Sequence, residues 1–335
     1  MGVQTDQSPG AAVAEPPPSA EADAAVADTR PLPPDEAIDA WAHVKRAFAA
    51  LLRNPTPDAA WVDSLQALKQ RMQVLARRDF DTALYLLMQD AAAGEDRYSA
   101  HHSLLCGLVA EVCADWYEWS PAEMDALVLS ALSMNVSMSA MQDALTRQVQ
   151  PLSPAQREQV QAHPQKSAEM LVAAGVQDTL WVDVVRRHHD ATTDAAPDSD
   201  APARLARLLR RVDIYTAKLS SRAGRSAVTP AKAARDTCLG PDGKPDPVGA
   251  GILRKLGLYP PGSFVKLANG DLGVVIKRGV QAHMPVVAAL RRSDGGLYPN
   301  PKKRDTTQRV YAVAHGVTVR ELKVHLNHLR NLAAT

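Results

Sequence analysis

Three residues that could do chemistry occupy positions where the helical pattern of the sequence calls for apolar side chains. His163 lies one turn after Val160, and His188 and Asp213 fall inside similar apolar stripes. Burying an unpaired carboxylate costs several kcal/mol or shifts its pKa until it is neutral, so Asp213 needs an imidazole or a metal ion as a partner. With two more histidines these residues could converge inside one helical bundle; the full set is His102, His163, His188, His189 and Asp213.

The helices that must position these side chains have clear beginnings. Ser120-Pro121-Ala122-Glu123 and Ser153-Pro154-Ala155-Gln156 are capping boxes with proline at the first helical position, and Thr229-Pro230 begins a further helix. Together with the apolar periodicity, these signals predict helices near residues 100–115, 121–134, 154–174, 178–190, 202–222 and 230–238.

The pattern divides the chain into four parts. Residues 1–34 are rich in Ala and Pro and are predicted to be a disordered tail, and residues 35–95 form an N-terminal helical segment. The bundle occupies residues 96–250. Residues 251–335 are predicted to be a small β-rich region with a closing helix, because Asn269-Gly270 is a strong hairpin signal and further strands are expected at 285–290 and 310–313. The fold is therefore predicted to be mostly α with a β-rich C-terminal appendage.

Composition argues against several classes of partner. The 38 basic and 37 acidic residues nearly balance, so no net charge favours nucleic acid or an anionic membrane. Three scattered cysteines are typical of a reducing cytoplasm rather than of a disulfide framework. We find no signal peptide and expect no membrane span, so the predicted location is cytoplasmic.

Four short matches, in the same order along the chain, resemble HD-GYP domains, a branch of the HD phosphohydrolases that hydrolyse the bacterial messenger cyclic di-GMP. They are His102-Ser103-Leu104-Leu105, His163-Pro164, His188-His189 and Arg211-Val212-Asp213. The similarity runs from about Tyr98 to Asp236, and residues 261–270 resemble a segment that often follows such domains. The resemblance implies an HD-type helical bundle with a metal-dependent phosphodiesterase site.

Two signatures of that family are replaced in this chain. Where the family has Leu-His-Asp-Ile-Gly-Lys, the sequence reads Leu132-Ser133-Met134-Asn135-Val136-Ser137, so the His-Asp pair and the lysine are absent. The Gly-Tyr-Pro loop after the paired histidines is also missing from residues 190–197. The family's aspartate bridges two metal ions, and neither Ser133 nor the soft thioether of Met134 can replace it.

The residues that match the family's ligands suggest at most one metal ion. By resemblance, His102 and Asp213 would share one metal with the two lost residues, whereas His163, His188 and His189 would lack only the bridging acid of the other. Three imidazoles with a vacant position are typical of a Zn or Fe site, so the cofactor is predicted to be one divalent metal (Fe, Mn or Zn) or none. If no metal is bound, Met134 fills the cavity that the lost metal ligands would leave, and the histidines form a hydrogen-bonded cluster with Asp213.

The leading functional prediction is a bacterial signalling protein that no longer hydrolyses cyclic di-GMP and acts by binding a protein partner or a nucleotide. The alternative is a phosphohydrolase of the HD superfamily with an altered single-metal site, in which Asp190 or Asp194 acts as the base. A pure scaffold is a third possibility. A Ser/His/Asp hydrolase using Ser103 or Ser133 is disfavoured, because the sequence has no Gly-x-Ser-x-Gly elbow. His101 and His283 are predicted to lie on the surface.

Overall fold

The computed structural model describes residues 30–53, 55–56, 58–93, 97–195, 200–223, 227–238 and 246–322, together with Leu329 and Leu332. Most of the predicted 1–34 tail lies outside these residues. The helices are α1 Pro34–Arg53, α2 Ala59–Arg78, α3 Phe80–Ala93, α4 Tyr98–Ala114, α5 Pro121–Ser133, α6 Ser139–Arg147, α7 Pro154–Ala173, α8 Thr179–Arg187, α9 Ala201–Leu219, α10 Pro230–Thr237, α11 Pro247–Leu256 and α12 Val319–Leu322. The strands are β1 Phe264–Leu267, β2 Leu272–Lys277, β3 Val286–Arg291, β4 Leu297–Asp305 and β5 Val313–Val317.

The predicted capping boxes are present and begin α5 and α7. The Glu123 amide donates to Ser120 Oγ at 3.3 Å, and the Ser120 amide donates to Glu123 Oε2 at 2.9 Å. Ser153 and Gln156 repeat the pair at 3.2 and 2.9 Å. These bonds satisfy amides that have no partner inside the helix, which is why both helices begin at the residues expected from the sequence.

Helix α4 is the centre of the bundle. It packs against α1, α3, α5 and α9, and 15 of its 17 residues are buried. The prediction that His101 lies on the surface is wrong, because that residue is 7% exposed on this helix. A polar side chain on α4 must therefore find its partner inside the protein.

The stretch Pro121–Arg147 is long and apolar enough to cross a membrane by length and composition, although we expected no such stretch from the sequence. In the structure it is not one straight helix, since α5 and α6 are separated by a 3-10 turn at Val136–Met138. Because 67% of its apolar window is buried within the protein, the stretch has the character of core helices in a soluble protein.

The C-terminal strands form an antiparallel sheet in the order β4-β3-β2-β1-β5. Asn269-Gly270 joins β1 to β2 as predicted, with Gly270 at φ 88°, a conformation that L side chains rarely adopt. The sheet is fastened to α3: Gln89 Nε2 donates to the Gly262 carbonyl at 2.9 Å, and Arg278 Nε donates to Asp81 Oδ1 at 2.5 Å. This confirms a helical bundle with a β appendage.

Several predicted elements are displaced or incomplete. The strand expected at 310–313 is wrong, because a 3-10 turn occupies Arg309–Tyr311 and β5 begins at Val313. The last helix predicted for the bundle ends near residue 238, but a further helix, α11, begins at Pro247; residues 239–245 lie outside the described residues. Helix α6 and strand β4 were not predicted. Only the first turn of the closing helix, α12, is described.

Candidate metal site

A proline fixes the ring of His163. Pro164 lies inside α7 and has no amide hydrogen, so the Val160 carbonyl loses the helical partner that residue 164 would supply. His163 Nδ1 lies 2.6 Å from that carbonyl oxygen. A carbonyl can only accept, so Nδ1 must carry a hydrogen, and in the neutral ring Nε2 then carries a lone pair. The His-Pro sequence therefore selects the tautomer of His163.

His188 has the same arrangement at the end of α8. Its Nδ1 lies 2.7 Å from the carbonyl oxygen of Val185, which belongs to the last turn, where carbonyls lack a partner within the helix. The donor must again be Nδ1, so the Nε2 atom of neutral His188 is also an acceptor. Both imidazoles are thus held by a carbonyl three residues earlier.

The two acceptor nitrogens face each other, which is the arrangement expected around a cation. His163 Nε2 lies 3.1 Å from His188 Nε2, and both residues are at most 1% exposed. A shared proton would need one charged ring, but burial, the largest influence on both, lowers the pKa of His163 to about 4 and that of His188 to about 3. Two nitrogens about 2.05 Å from a tetrahedral zinc lie about 3.3 Å apart, so a metal fits this pair.

His189 completes a group that could hold a metal ion. Its ring centroid lies 4.2 Å from that of His188 and 5.1 Å from that of His163, and the ligand nitrogens of the three residues lie within 4.8 Å of one another. The His189 side chain is 42% exposed, so this group opens to solvent on one side. The structure therefore brings together the three histidines that the sequence placed at one metal.

Asp213 on α9 lies beside the three histidines and is held by His102. His102 Nε2 lies 2.7 Å from Asp213 Oδ1, and His189 Nε2 lies 3.8 Å from Asp213 Oδ2. Burial would raise the pKa of Asp213, but the hydrogen bond from His102 and the surrounding imidazoles outweigh burial and hold the pKa well below its usual range. The five residues predicted from the sequence therefore lie next to one another. Of the two partners expected for Asp213, an imidazole or a metal ion, the structure shows the imidazole of His102.

Cys106 is a neighbour that the sequence-based prediction missed. Its Sγ lies 3.6 Å from His102 Nε2 and 3.1 Å from Thr216 Oγ1, so His102, Cys106 and Asp213 form a second group with ligand-type atoms. Burial would lower the pKa of His102, but Cys106, Tyr98 and Asp213 together raise it well above its usual value. His102 and Cys106 are four residues apart on one helix, and this spacing could have indicated that their side chains are neighbours.

Ser133 and Met134, which stand where the resemblance implies a His-Asp pair, are held by packing and hydrogen bonds. Ser133 Oγ donates to the Leu129 carbonyl at 2.7 Å and accepts from the Trp181 indole nitrogen at 2.9 Å. Met134 is fully buried within the apolar core. Because the Ser133 hydroxyl is engaged on both sides, a nucleophilic serine at this position has no structural support.

Each of the two acids that could serve as an alternative base has one oxygen in a local contact. Asp190 Oδ1 accepts from the amide and the hydroxyl of Thr192, both at 2.8 Å, on the protein surface. Asp194 Oδ2 pairs with Arg210 at 3.1 Å. The segment after the paired histidines is therefore organised around its own hydrogen bonds and α9.

The fold and this site define a helical-bundle protein with a β appendage and a histidine group that could hold a divalent metal ion. Over 189 residues the chain is 28% identical to the cyclic di-GMP phosphodiesterase PA4108 of Pseudomonas aeruginosa, an alignment that covers 55% of this chain. It covers 45% of that relative, so the chain spans under half of its length. This distant similarity supports the resemblance to HD-GYP proteins.

Comparison with family models gave no match, and neither did comparison with solved structures.

Replacing Pro164 with alanine should have opposite effects on stability and on metal binding. The new amide would compete for the Val160 carbonyl, which removes a helix defect and should raise the free energy of unfolding by about 1–2 kcal/mol. His163 would lose its fixed tautomer, and the affinity for Zn²⁺ should fall about 10- to 100-fold. Denaturant titration and competition with a fluorescent chelator measure the two effects. Gln165→Ala, on an exposed neighbour, is the control; unchanged zinc affinity in Pro164→Ala would contradict the argument.

Proposed function

We propose that this chain is a regulatory protein of cyclic di-GMP signalling that binds one divalent metal at His163, His188 and His189 and does not hydrolyse the dinucleotide. Its output is the binding of a protein partner, with nucleotide binding as the alternative. The observation that carries the proposal is the Trp181 to Ser133 hydrogen bond at 2.9 Å, beside the fully buried Met134. Packed side chains stand where a two-metal site would need an imidazole and a bridging carboxylate.

The three-histidine group supports a structural rather than a hydrolytic role for the metal it could bind. When bound, a divalent cation at the three histidines would supply Lewis-acid character and would hold α7 and α8 together. His163 and His188 present fixed nitrogens to it through their carbonyl bonds. Of the two acids considered as the base, Asp190 is hydrogen-bonded to Thr192 through Oδ1 and Asp194 is paired with Arg210 through Oδ2.

The proposal predicts that cyclic di-GMP turnover is lost. With Mn²⁺, Fe²⁺ or Zn²⁺ supplied, we expect rates at least about 1,000-fold below those of PA4108 measured in parallel, since losing a second metal forfeits on the order of 4 kcal/mol of barrier reduction. The measurement is the appearance of linear dinucleotide or GMP by chromatography. Hydrolysis at the relative's rate that disappears in His188→Ala would overturn the proposal.

The two forms of output are separable by thermal melting. A ligand at 100 times its dissociation constant stabilises the native state by about 2.7 kcal/mol. A shift of the melting temperature with cyclic di-GMP favours nucleotide binding as the output. An unchanged melting temperature favours the protein partner.

The second candidate function is a single-metal phosphohydrolase, and the three-histidine geometry favours it. The exposed side of His189 would admit a phosphate group, and the metal would polarise it. Metal-dependent turnover in the same assay, slow but abolished by His188→Ala, would support this candidate over the regulatory one.

A further inference from the structure

The carboxylate of Asp213 lies between the two groups of possible ligands. Its Oδ1 accepts from His102 Nε2 at 2.7 Å, and its Oδ2 lies 3.8 Å from His189 Nε2. The Asp213 side chain is 15% exposed, so little water surrounds it. A negative charge placed this way can neutralise a cation held by the histidines.

Two distances between possible ligand atoms, one within the three-histidine group and one from His189 to Asp213, are close to the ligand-to-ligand distance of a tetrahedral site. Ligand atoms about 2.0–2.1 Å from a tetrahedral zinc lie about 3.3–3.4 Å apart. The His163 to His188 nitrogens are separated by 3.1 Å, and His189 Nε2 and Asp213 Oδ2 by 3.8 Å. Movements of a few tenths of an ångström would bring each pair to the tetrahedral distance, and Asp213, which groups with His102 and Cys106, would also have to move towards His163 and His188.

The sulfur of Cys106 groups with His102 and Asp213 rather than with the three histidines. Thr216 has one hydroxyl hydrogen, and it donates to the main-chain carbonyls of Val212 at 2.9 Å and Asp213 at 3.1 Å. Thr216 Oγ1 therefore accepts in its 3.1 Å contact with Cys106 Sγ, and the sulfur carries a hydrogen. Because Cys106 belongs to a different group from His163, His188 and His189, it packs beside the three-histidine site in this arrangement.

We propose that the metal site is mononuclear and closed, with Asp213 as the fourth ligand beside His163, His188 and His189, and with His102 as the residue that positions Asp213. This inference rests on the metal binding of the proposed function and deepens it. Four protein ligands leave no open position for water, which is the arrangement of structural rather than catalytic zinc. His102 acts through the hydrogen bond to Oδ1, as outer-shell partners do for ligating carboxylates.

The test uses the full chain, stripped with chelator and reloaded with Zn²⁺ or Co²⁺. We expect one equivalent of metal in the wild type and in Cys106→Ser, with the same affinity. Asp213→Asn should lose more than the roughly 10- to 100-fold in affinity that removal of an outer-shell partner costs. His102→Leu should lose about 10- to 100-fold, and His102→Gln, which keeps a donor, should recover much of that loss.

Cobalt absorption supplies a readout that a merely structural role would not move. The closed wild-type site should give an intense four-coordinate spectrum that azide leaves unchanged, and Asp213→Asn should open a position at which azide shifts the spectrum. Circular dichroism melting establishes that each variant is folded. If Asp213→Asn does not fold, azide titration of the wild type and of His102→Leu tests the proposal instead. A wild-type cobalt spectrum that azide shifts would exclude a fourth protein ligand.

Each outcome decides a separate question. No metal in the wild type defeats the metal binding of the proposed function, and this inference with it. One equivalent bound equally tightly by wild type and folded Asp213→Asn overturns this inference alone. Two equivalents, or a thiolate-to-cobalt charge-transfer band that Cys106→Ser removes, also overturn it and assign a second ion to His102, Cys106 and Asp213.

Discussion

Replacing Met134 with aspartate should lower the free energy of unfolding by about 3–5 kcal/mol. The substitution introduces the acid that the resemblance to HD-GYP domains implies at this position, yet Met134 is fully buried in the apolar core. A carboxylate there would be charged at neutral pH without a partner, or would be protonated at a comparable cost. Urea denaturation at pH 7 measures the change in the free energy of unfolding.

Two comparisons identify the cause of this loss. Met134→Leu keeps the volume and the apolar character, so it should cost less than about 1.5 kcal/mol. Adding Ser133→His to Met134→Asp should neither restore stability nor add a second equivalent of metal, because the Trp181 indole already lies 2.9 Å from the Ser133 hydroxyl. If the double variant bound a second equivalent of Mn²⁺ or Fe²⁺ and was stabilised by several kcal/mol more than the wild type, an open two-metal pocket would exist and the proposed function would fail.

The metal-free protein should lose stability as the pH falls from 6.5 towards 4. The folded-state pKa values of His163 and His188, about 4 and about 3, lie below the ordinary value of 6.5. The unfolded chain therefore binds protons in this window while the native protein does not, and stability falls with decreasing pH. A shift of one pKa unit corresponds to about 1.4 kcal/mol, so the expected loss is on the order of 1–3 kcal/mol for each imidazole.

The charged neighbours do not cancel this effect. His102, with its pKa raised, is protonated in the native state throughout the window, and Asp213, with its pKa lowered, stays ionised. Urea titrations at pH 7.0 and 4.5, with chelator present, should show a smaller pH dependence in His163→Gln/His188→Gln than in the wild type. The exposed His283→Gln variant should retain the wild-type slope. Equal slopes in all three proteins would show that the two imidazoles are not buried neutral.

The sequence predicted best what depends on local chemistry or on the cost of burial. The capping boxes at Ser120 and Ser153 are local, and they begin helices where expected. The pairing of Asp213 with His102 follows from the cost of a buried carboxylate, although their separation of 111 residues hides the contact. Burial explains the second success, because a polar group on an apolar face has few ways to be satisfied.

Features that depend on three-dimensional packing were missed. Trp181 was identified only as part of an apolar stripe, and nothing in its spacing shows that its indole would reach Ser133 on another helix. Cys106 has the character of a small apolar core residue, so its place beside His102 was not evident. Strand β4 contains Pro299 and Pro301 and is mostly exposed, which is tolerated because it lies at the edge of the sheet.

The attachment of the sheet to α3 limits how this protein can be shortened. A fragment that stops before β1 would remove the Gly262 carbonyl from Gln89 and the Arg278 guanidinium from Asp81, and it would uncover apolar residues of α3 around Met88. Helix α3 packs directly on α4, which carries His102. Laboratory truncations intended to isolate the histidine-bearing bundle should therefore keep the sheet, because without it the fragment would aggregate through the surface it exposes.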